Sequence, residues 1–319
     1  MPKIFITREI PEKGIKMLKD KEWDVSVGPE GSISREDLLK SVKGVDAILS
    51  VLTEKIDAEV MDAAGEQLKV IANYAVGYNN IDVEEAKKRN IMVTNTPGVL
   101  TNAVAEHTIA MIFAIAERIV EADRFTRAGR YKAWGPKLLL GADIQGKTLG
   151  IVGMGRIGSA VAQRMQDGFD LKIIYYDVNR NEELEQKFSM EYREINELMK
   201  EADFISLHTA LTNETKHLIN EERLNMMKPT AYLINTSRGP VIDEKALIKV
   251  LKDKKIAGAA LDVFENEPEL MPGLTDLENV VITPHIASAT EGTRDKMSEM
   301  AVGNIISVLE GETPANLVE

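Results

Sequence analysis

The stretch "KTLGIVGMGRIGSAVAQRM" (147–165) decides the fold. An apolar, strand-like run leads into three glycines, Gly153, Gly155 and Gly158, and an amphipathic helix pattern follows them. In this arrangement the first glycine permits a tight turn, the second lets a pyrophosphate approach the backbone, and the third lets the helix pack on the strand. The start of the helix offers unpaired N–H groups to the phosphates. The stretch therefore predicts a dinucleotide site.

An acidic residue, Asp177, stands at the end of the next predicted strand. A carboxylate at this place accepts hydrogen bonds from the adenosine ribose hydroxyls and repels the 2′-phosphate of NADP. Arg180 follows closely and is able to offset part of that repulsion. We therefore favour NAD(H) as cofactor, while the sequence leaves use of NADP(H) open.

The rest of the chain alternates short apolar runs with amphipathic stretches, and this alternation predicts parallel sheets covered by helices. Strands are predicted at 3–7, 23–27, 45–51, 68–74 and 91–95, and then at 148–152, 171–177, 204–208, 231–236, 256–263 and 280–284. Helices are predicted at 10–19, 35–41, 56–64, 82–89, 157–167, 194–201, 221–227, 243–253 and 289–311, the last capped by Gly311. The fold class is α/β, with two doubly wound sheets, the second of six strands.

A helix pattern in 96–129 differs from the others because it is apolar on nearly all faces between 103 and 116. Such a helix must be buried on all sides. Two placements explain it: a helix between two domains, or a helix in a dimer interface.

Composition excludes several classes of protein. The 319 residues are 44% hydrophobic and 28% charged, with a net charge of −12 and no basic stripe, so we expect no nucleic-acid partner. The chain has no cysteine and no spacing typical of metal ligands, so we expect neither disulfides nor a metal. The start lacks a secretion signal, and the most apolar stretch (108–116) is too short to span a membrane. We expect a cytoplasmic enzyme or binding protein without a membrane partner.

Three candidate catalytic residues follow predicted strands, where ligands of such sheets bind. Arg238, next to Gly239, suits bidentate capture of a carboxylate, although an arginine here could also pair with a structural acid. His285 is the best proton donor available, because histidine as a residue type can protonate an alkoxide near neutral pH. Glu267 could hold the imidazole if the chain between them folds back, or it could belong to a solvated acidic loop.

The other three histidines are weaker candidates. His107 lies in the apolar helix pattern and reads as a core or interface residue, whereas His217 lies in a polar loop or helix start. His208 ends a predicted strand, and we predict that it lines the cofactor pocket.

With these motifs in place, the chain resembles the D-isomer-specific 2-hydroxyacid dehydrogenase family along essentially its whole length. The motifs that carry the resemblance lie at 73–82, 94–114, 146–158, 234–247, 258–268 and 279–290. The resemblance implies a flavodoxin-like substrate domain from both chain ends (1–98 and 288–319), an inserted Rossmann domain (99–287), and a homodimer joined by the long helix after residue 98.

The resemblance also assigns roles to single residues. Arg238 would anchor the substrate carboxylate together with the backbone of Val76 and Gly77. His285 would be the acid/base, Glu267 would hold it, and Asp262 would hold the nicotinamide carboxamide.

Further contacts are predicted on the same basis. For the substrate they are Leu52, Ser288 and Trp134 of the partner subunit. For the cofactor they are Thr108, Arg156, Ile157, His208, Thr209, Thr215, Thr236, Ser237, His285 and Ala287.

Within the family, residues 134–151 and 49–57 resemble the glyoxylate/hydroxypyruvate reductase branch, which implies reduction of small 2-oxo acids to glycolate and D-glycerate. That branch often has Ser-Arg at the place of Asp177-Val178, a pattern tied to NADPH, and the family often has proline where Ala210 stands. A phosphoglycerate dehydrogenase would need cations near its substrate phosphate, and residues 48–53 contain none. The alternatives are 2-ketogluconate reductase, D-lactate dehydrogenase or phosphoglycerate dehydrogenase and, from another class, an NAD-sensing corepressor, which would usually carry a disordered tail.

Overall fold

The chain divides into two compact units in the computed structural model, which describes residues 1–318. Unit 1 contains residues 1–100 and the chain from Ser288 onward, and unit 2 contains Thr101–Ala287. The first change of unit therefore falls between residues 100 and 101, two residues after the predicted domain boundary.

Unit 1 is built on a sheet of five parallel strands. The strands are β1 (Lys3–Ile6), β2 (Asp24–Val27), β3 (Ala47–Ser50), β4 (Val70–Asn73) and β5 (Met92–Thr94). Their order is β2-β1-β3-β4-β5 and each neighbouring pair is parallel. This is the flavodoxin-like order, so the predicted doubly wound sheet is confirmed for this unit.

Helices cover the sheet of unit 1, and side chains fix where several of them begin. They are α1 (Glu12–Lys19), α2 (Arg35–Ser41), α3 (Ala58–Ala64), α4 (Val83–Lys88) and, numbered in chain order, α12 (Glu291–Leu309). Ser34, Asp57 and Asp82 each accept the N–H three residues further on, which satisfies a free donor of the first helical turn. The last helix stops before Gly311, whose φ of 86° supplies the left-handed turn expected of a C-terminal cap.

Unit 2 contains a parallel sheet of seven strands. They are β6 (Thr148–Val152), β7 (Lys172–Tyr176), β8 (Glu191–Tyr192), β9 (Phe204–Leu207), β10 (Tyr232–Asn235), β11 (Gly258–Leu261) and β12 (Val280–Ile282), in the order β12-β11-β10-β9-β6-β7-β8. The prediction of six strands is wrong by one, because β8 was missed. This strand is two residues long and begins with a glutamate, so no hydrophobic periodicity marks it.

The helices of unit 2 lie on both faces of this sheet. They are α5 (Thr101–Ala116), α6 (Ile119–Arg127), α7 (Arg156–Phe169), α8 (Glu182–Phe188), α9 (Ile195–Glu201), α10 (Glu221–Met226) and α11 (Glu244–Lys252), with a short 3₁₀ turn at Gly239–Val241. One apolar cluster lies under α9, α10 and α11, and a second lies under α5 and α7. The helix pattern in 96–129 forms two helices because Arg118 adopts a left-handed conformation (φ 55°) between them.

The apolar helix α5 is buried within unit 2 itself. It packs against α7 and against β10, β11 and β12. Glu106 and Ala110 are exposed in the single chain, and the coverage of this face by a dimer partner stays a prediction. These contacts account for the side of α5 that is buried within unit 2. Within residues 1–318, no helix is long and apolar enough to cross a membrane.

The close packing of α7 on the sheet gives a test of the fold. A Cβ at Gly158 would lie 2.1 Å from the carbonyl oxygen of Gly153, whereas a Cβ at Gly168 in the same helix would meet nothing within 4 Å. We expect Gly158→Ala to lower the free energy of unfolding by about 1–3 kcal/mol or more. The matched control Gly168→Ala should leave it unchanged or raise it by up to about 1 kcal/mol. Urea unfolding of both variants measures this, and equal effects would contradict the packing described.

Candidate active site

The candidate site of unit 2 lies at the carboxyl edge of its sheet. Because the paired strands of the seven-stranded sheet are parallel, the residues that follow them are brought to one edge. The predicted site residues found directly after these strands are Gly153, Asp177, His208, Thr236, Ser237, Arg238, Asp262 and His285.

The glycine loop between β6 and α7 has the shape that the fingerprint predicts. Gly153 has a φ of 97°, and a Cβ there would lie 2.8 Å from the carbonyl carbon of His208. At Gly155, the residue before α7, a Cβ would meet nothing within 4 Å, and no side chain caps the helix. The first turn, with Arg156 and Ile157, therefore keeps its N–H groups available beside open space. This arrangement fits a pyrophosphate.

The acid after β7 is held by the same loop. One oxygen of Asp177 accepts the N–H of Met154 at 2.7 Å, and the other accepts the N–H of Asn179 at 3.0 Å. Arg180 binds a different acid. Its Nε and Nη2 donate to the two carboxylate oxygens of Glu185, each at 2.8 Å. The positive charge that could have offset the repulsion of a 2′-phosphate is therefore bound elsewhere.

The surroundings of His208 favour its neutral form. Burial lowers the pKa of His208 to about 3, so the ring is neutral, and its Nε2 lies 2.9 Å from the hydroxyl of Ser206. The neighbouring Thr209 has a buried hydroxyl without a hydrogen-bond partner in the described residues. Thr215 closes the following turn by donating to the carbonyl of Ala210 at 2.7 Å.

Arg238 is held by its own loop and by the next one. The side-chain amide of Asn235 donates to the carbonyl of Arg238 at 2.9 Å, and Arg238 itself donates to the carbonyl of Ser237 at 2.7 Å. A Cβ at Gly239 would lie 1.9 Å from the backbone of Phe264, so only glycine fits there. Burial lowers the pKa of Arg238 and the charge of Glu267 opposes this, but a guanidinium stays protonated.

His285 and Glu267 form a hydrogen-bonded pair. Nδ1 of His285 lies 2.8 Å from Oε2 of Glu267, and Oε1 of Glu267 accepts the N–H of Phe264 at 2.9 Å. Since a carboxylate only accepts hydrogen bonds, we infer that Nδ1 carries a proton and that Nε2 is left for chemistry. His285 has a φ of 54°, which is unusual for a residue other than glycine.

Asp262 holds the turn that presents His285. Its carboxylate accepts hydrogen bonds from the Thr283 hydroxyl (2.6 Å) and from the N–H groups of Ile286 (2.9 Å) and Ala287 (2.8 Å). Its carbonyl accepts the N–H of His285 at 2.9 Å. The side chain is 0% exposed, so these contacts occupy it, and its expected bond to the nicotinamide carboxamide stays a prediction.

Two further contacts support this edge from α5. His107 places Nε2 3.2 Å from the Thr283 hydroxyl, and Thr108 places its hydroxyl 2.8 Å from that of Thr236. Sequence reasoning missed the role of Thr283, although its position directly after β12 was a signal. Nε2 of His107 also lies 3.6 Å from Oδ1 of Asp262.

Trp134 stands apart from the cluster in unit 2. It is 79% exposed in the irregular segment that follows α6. Among residues 1–318, no group of three or more His, Cys, Asp or Glu side chains is placed to hold a metal ion.

Unit 1 contributes its own group of predicted substrate contacts. The carbonyls of Val76 and Gly77, in the loop after β4, accept side-chain amides of Asn95 and Asn73, each at 2.8 Å. No bond from their N–H groups to an acceptor in residues 1–318 is found. Two donors without acceptors in a fixed loop suit an anion. Leu52, after β3, and Ser288, before α12, are both half-buried.

A cation that sequence reasoning missed lies beside Leu52. Arg8 follows β1 and donates to the Thr53 hydroxyl at 3.0 Å and to Glu54 at 3.2 Å. The loop at 48–53 contains no cation in sequence, but the neighbouring strand brings one to it. Glu54 is buried and also accepts the Thr7 hydroxyl at 2.9 Å, so the positive charge is paired.

Comparisons with known proteins agree with this geometry. Residues 109–287 match the family described as D-isomer specific 2-hydroxyacid dehydrogenase, NAD binding domain. The glyoxylate reductase of Pyrococcus horikoshii is 53% identical, over 99% of this chain and 96% of that protein. A crystal structure of a Thermus thermophilus protein has a TM-score of 0.93 at 45% identity, covering 99% of this chain and 100% of that one. A glyoxylate/hydroxypyruvate reductase of Sinorhizobium meliloti, solved with NADP and malonate, has a TM-score of 0.88 at 31% identity, covering 99% and 96%.

A parallel sheet with this glycine loop and an acid–histidine pair at its carboxyl edge defines a dinucleotide-dependent oxidoreductase. The chain belongs to the D-isomer specific 2-hydroxyacid dehydrogenases. The predicted family is therefore confirmed, and with it an NAD(P)-dependent oxidoreductase that acts on a CH–OH group.

The contacts of Asp262 predict a stability effect that depends on pH. In Asp262→Asn one backbone N–H loses its acceptor, so we expect a loss of about 1–3 kcal/mol at neutral pH. Burial raises the pKa of Asp262, but hydrogen bonds from His107, Thr283, Ile286 and Ala287 outweigh it and leave the pKa below the usual 3.8. The stabilisation is therefore present above pH 3.8 and lost as the pH falls further.

Urea unfolding of wild type and Asp262→Asn at neutral pH and at a series of lower values measures this. The exposed Asp143, changed to Asn, is the control and should match the wild type. A difference between wild type and Asp262→Asn that stayed constant down to acid pH would contradict the role given to the carboxylate.

Proposed function

We propose that this chain reduces small 2-oxo acids, with glyoxylate and hydroxypyruvate preferred, to glycolate and D-glycerate. The observation that carries the proposal is the His285–Glu267 pair at 2.8 Å, together with the half-buried Arg238 on the loop after β10. A proton donor and a carboxylate anchor on neighbouring loops are what a 2-oxo acid requires. The similarity to curated glyoxylate reductases supports the choice of substrate.

The cofactor site fits a nicotinamide dinucleotide. The open space at Gly155 and the uncapped start of α7 would hold the pyrophosphate, and Asp177 would accept the ribose hydroxyls. The partnerless hydroxyl of Thr209 gives this edge a further polar group. When bound, the cofactor supplies a hydride to the carbonyl carbon of the substrate.

Binding of the substrate is assigned to Arg238. Its guanidinium can form two parallel hydrogen bonds with a carboxylate, and Gly239 allows its loop to lie against the next one. We include the N–H groups of Val76 and Gly77 as further carboxylate donors. Leu52, Ser288 and Trp134 of the partner subunit complete the proposed substrate contacts.

The proton comes from His285. As hydride reaches the carbonyl carbon, the oxygen gains an electron pair, and Nε2 of the imidazolium donates the proton that completes the hydroxyl group. Glu267 binds Nδ1 and fixes the orientation of the ring. In the reverse direction the neutral ring would accept the same proton.

We also propose that unit 1 is the substrate domain and that the chain forms a homodimer. Ile119, Tyr131, Trp134 and Leu140 are large apolar side chains exposed in and after α6. Exposed apolar side chains in one segment are typical of an interface. A sedimentation mass of a single chain, 35.3 kDa, would refute the dimer.

Replacement of His285 tests the mechanism. We expect His285→Gln to lower the turnover number for glyoxylate by about 10²–10⁴-fold, because the alkoxide loses its proton donor. Asp143→Asn, at an exposed position, is the control and should keep the wild-type turnover. The assay measures NADH oxidation by the wild type and the variant. The substrates compared are glyoxylate, hydroxypyruvate, pyruvate, 2-ketogluconate and phosphohydroxypyruvate. Unchanged turnover would refute the role of His285, and a preference for one of the last three substrates would refute the substrate assignment.

Replacement of Asp177 and Val178 tests the preference for NADH. A charge-assisted hydrogen bond is worth about 1.5–3 kcal/mol, so Asp177→Ser with Val178→Arg should shift the ratio of kcat/KM values by about tenfold or more towards NADPH. Val178 is 81% exposed and tolerates the longer side chain. Arg180→Gln should leave the ratio unchanged because Arg180 binds Glu185. An unchanged ratio in the double variant would contradict the role of Asp177.

A further inference from the structure

A buried acid outside the proposed mechanism, Glu244, is bonded to the loop that carries Glu267. Glu244 is the first residue of α11 and is 4% exposed. Its Oε2 accepts the N–H of Glu265 at 2.7 Å, and its own N–H donates to Oε2 of Glu265 at 3.3 Å. The two glutamates therefore bind each other's backbone, and we name this pair the Glu244–Glu265 clamp.

A third loop joins the clamp through His217. Nε2 of His217 lies 2.7 Å from Oε1 of Glu265. The N–H of His217 donates to the carbonyl of Pro240 at 2.8 Å, and the N–H of Asp243 donates to the carbonyl of Ile219 at 3.0 Å. The turn before α10 is thus tied both to the segment after Arg238 and to the loop after β11.

The acidic groups at the clamp oppose one another. Burial raises the pKa of Glu244, the N–H groups of Glu265 and Met271 oppose this, and the charges of Glu265 and Glu267 raise it further. Glu244 is buried, Glu265 is half-buried and Glu267 is exposed, and their three carboxyl groups repel one another. They stay together because backbone N–H groups and His217 bind them.

The clamp joins the start of α11, which follows the Arg238 loop, to the loop after β11, which contains Glu267. On one side is Arg238, followed by Gly239, whose backbone touches that of Phe264. On the other side is Glu267, two residues after Glu265, which holds His285 at 2.8 Å. A displacement of about 1 Å between a substrate anchor and a reacting group can lower turnover about 10²-fold.

We propose that Glu244 is a positioning residue of the reaction: through Glu265 it fixes the Glu267–His285 pair relative to Arg238. The inference rests on the proposed function. Glu244 contacts the loop backbone and acts through Glu267, so it is not itself assigned a contact with substrate or cofactor.

The test compares Glu244→Ala with Glu244→Gln in the full chain. Alanine removes the acceptor of the Glu265 N–H, whereas glutamine keeps one acceptor oxygen. We expect Glu244→Ala to lower kcat for glyoxylate with NADH by about 10²-fold and Glu244→Gln to retain most of it. The KM for NADH should be unchanged in both, because the proposed contacts of NADH at Gly155 and Asp177 lie on other loops. Glu269→Ala removes an exposed acid from the same loop and should match the wild type.

A second variant covers the case in which Glu244→Ala does not fold. Glu265→Ala breaks the clamp from the loop side at a half-buried position, and we expect the same fall in kcat. Folded variants with wild-type kcat overturn the inference. So does a parallel change of kcat and the NADH KM without rescue by glutamine, since that indicates a general loss of structure. A wild-type chain that does not oxidise NADH with glyoxylate refutes the proposed function, and the inference falls with it.

Discussion

A single buried carboxylate, that of Asp262, organises the chemistry of this molecule. It follows β11, accepts three hydrogen bonds from the turn at 283–287, and sits where a charged group without partners would be unstable. With those bonds in place, Nδ1 of His285 lies 2.8 Å from Glu267. The geometry of the acid–histidine pair is thus a consequence of a group that need not take part in proton transfer.

The strands and the glycine loop could be predicted from sequence because their signals are local. Apolar runs bounded by polar residues marked eleven of the strands, and the spacing of Gly153, Gly155 and Gly158 marked the turn. Strand β8 was not predicted because two residues are too few to show hydrophobic periodicity. The break at Arg118 was not predicted because a left-handed arginine has no sequence signature. Local patterns therefore give the order of elements better than their ends.

The contacts between loops could not be predicted in the same way. His217 and Glu265 are 48 residues apart, and Arg8 and Glu54 are 46 apart, so nothing in either neighbourhood indicates the other. Only the parallel pairing of strands, which gathers their carboxyl ends, brings such side chains together. The candidate residues were visible as residue types at strand ends, whereas the network that fixes their distances appeared only in three dimensions.

The backbone of His285 has a consequence for how such an enzyme adapts to heat. A left-handed conformation costs a residue with a Cβ on the order of 1 kcal/mol, and here that strain is held by the bonds around Asp262. Glycine or asparagine would fit position 285 better but would remove the imidazole. Selection for thermal stability alone would therefore favour replacement of His285, the proton donor. At this position the requirements of stability and of turnover oppose each other.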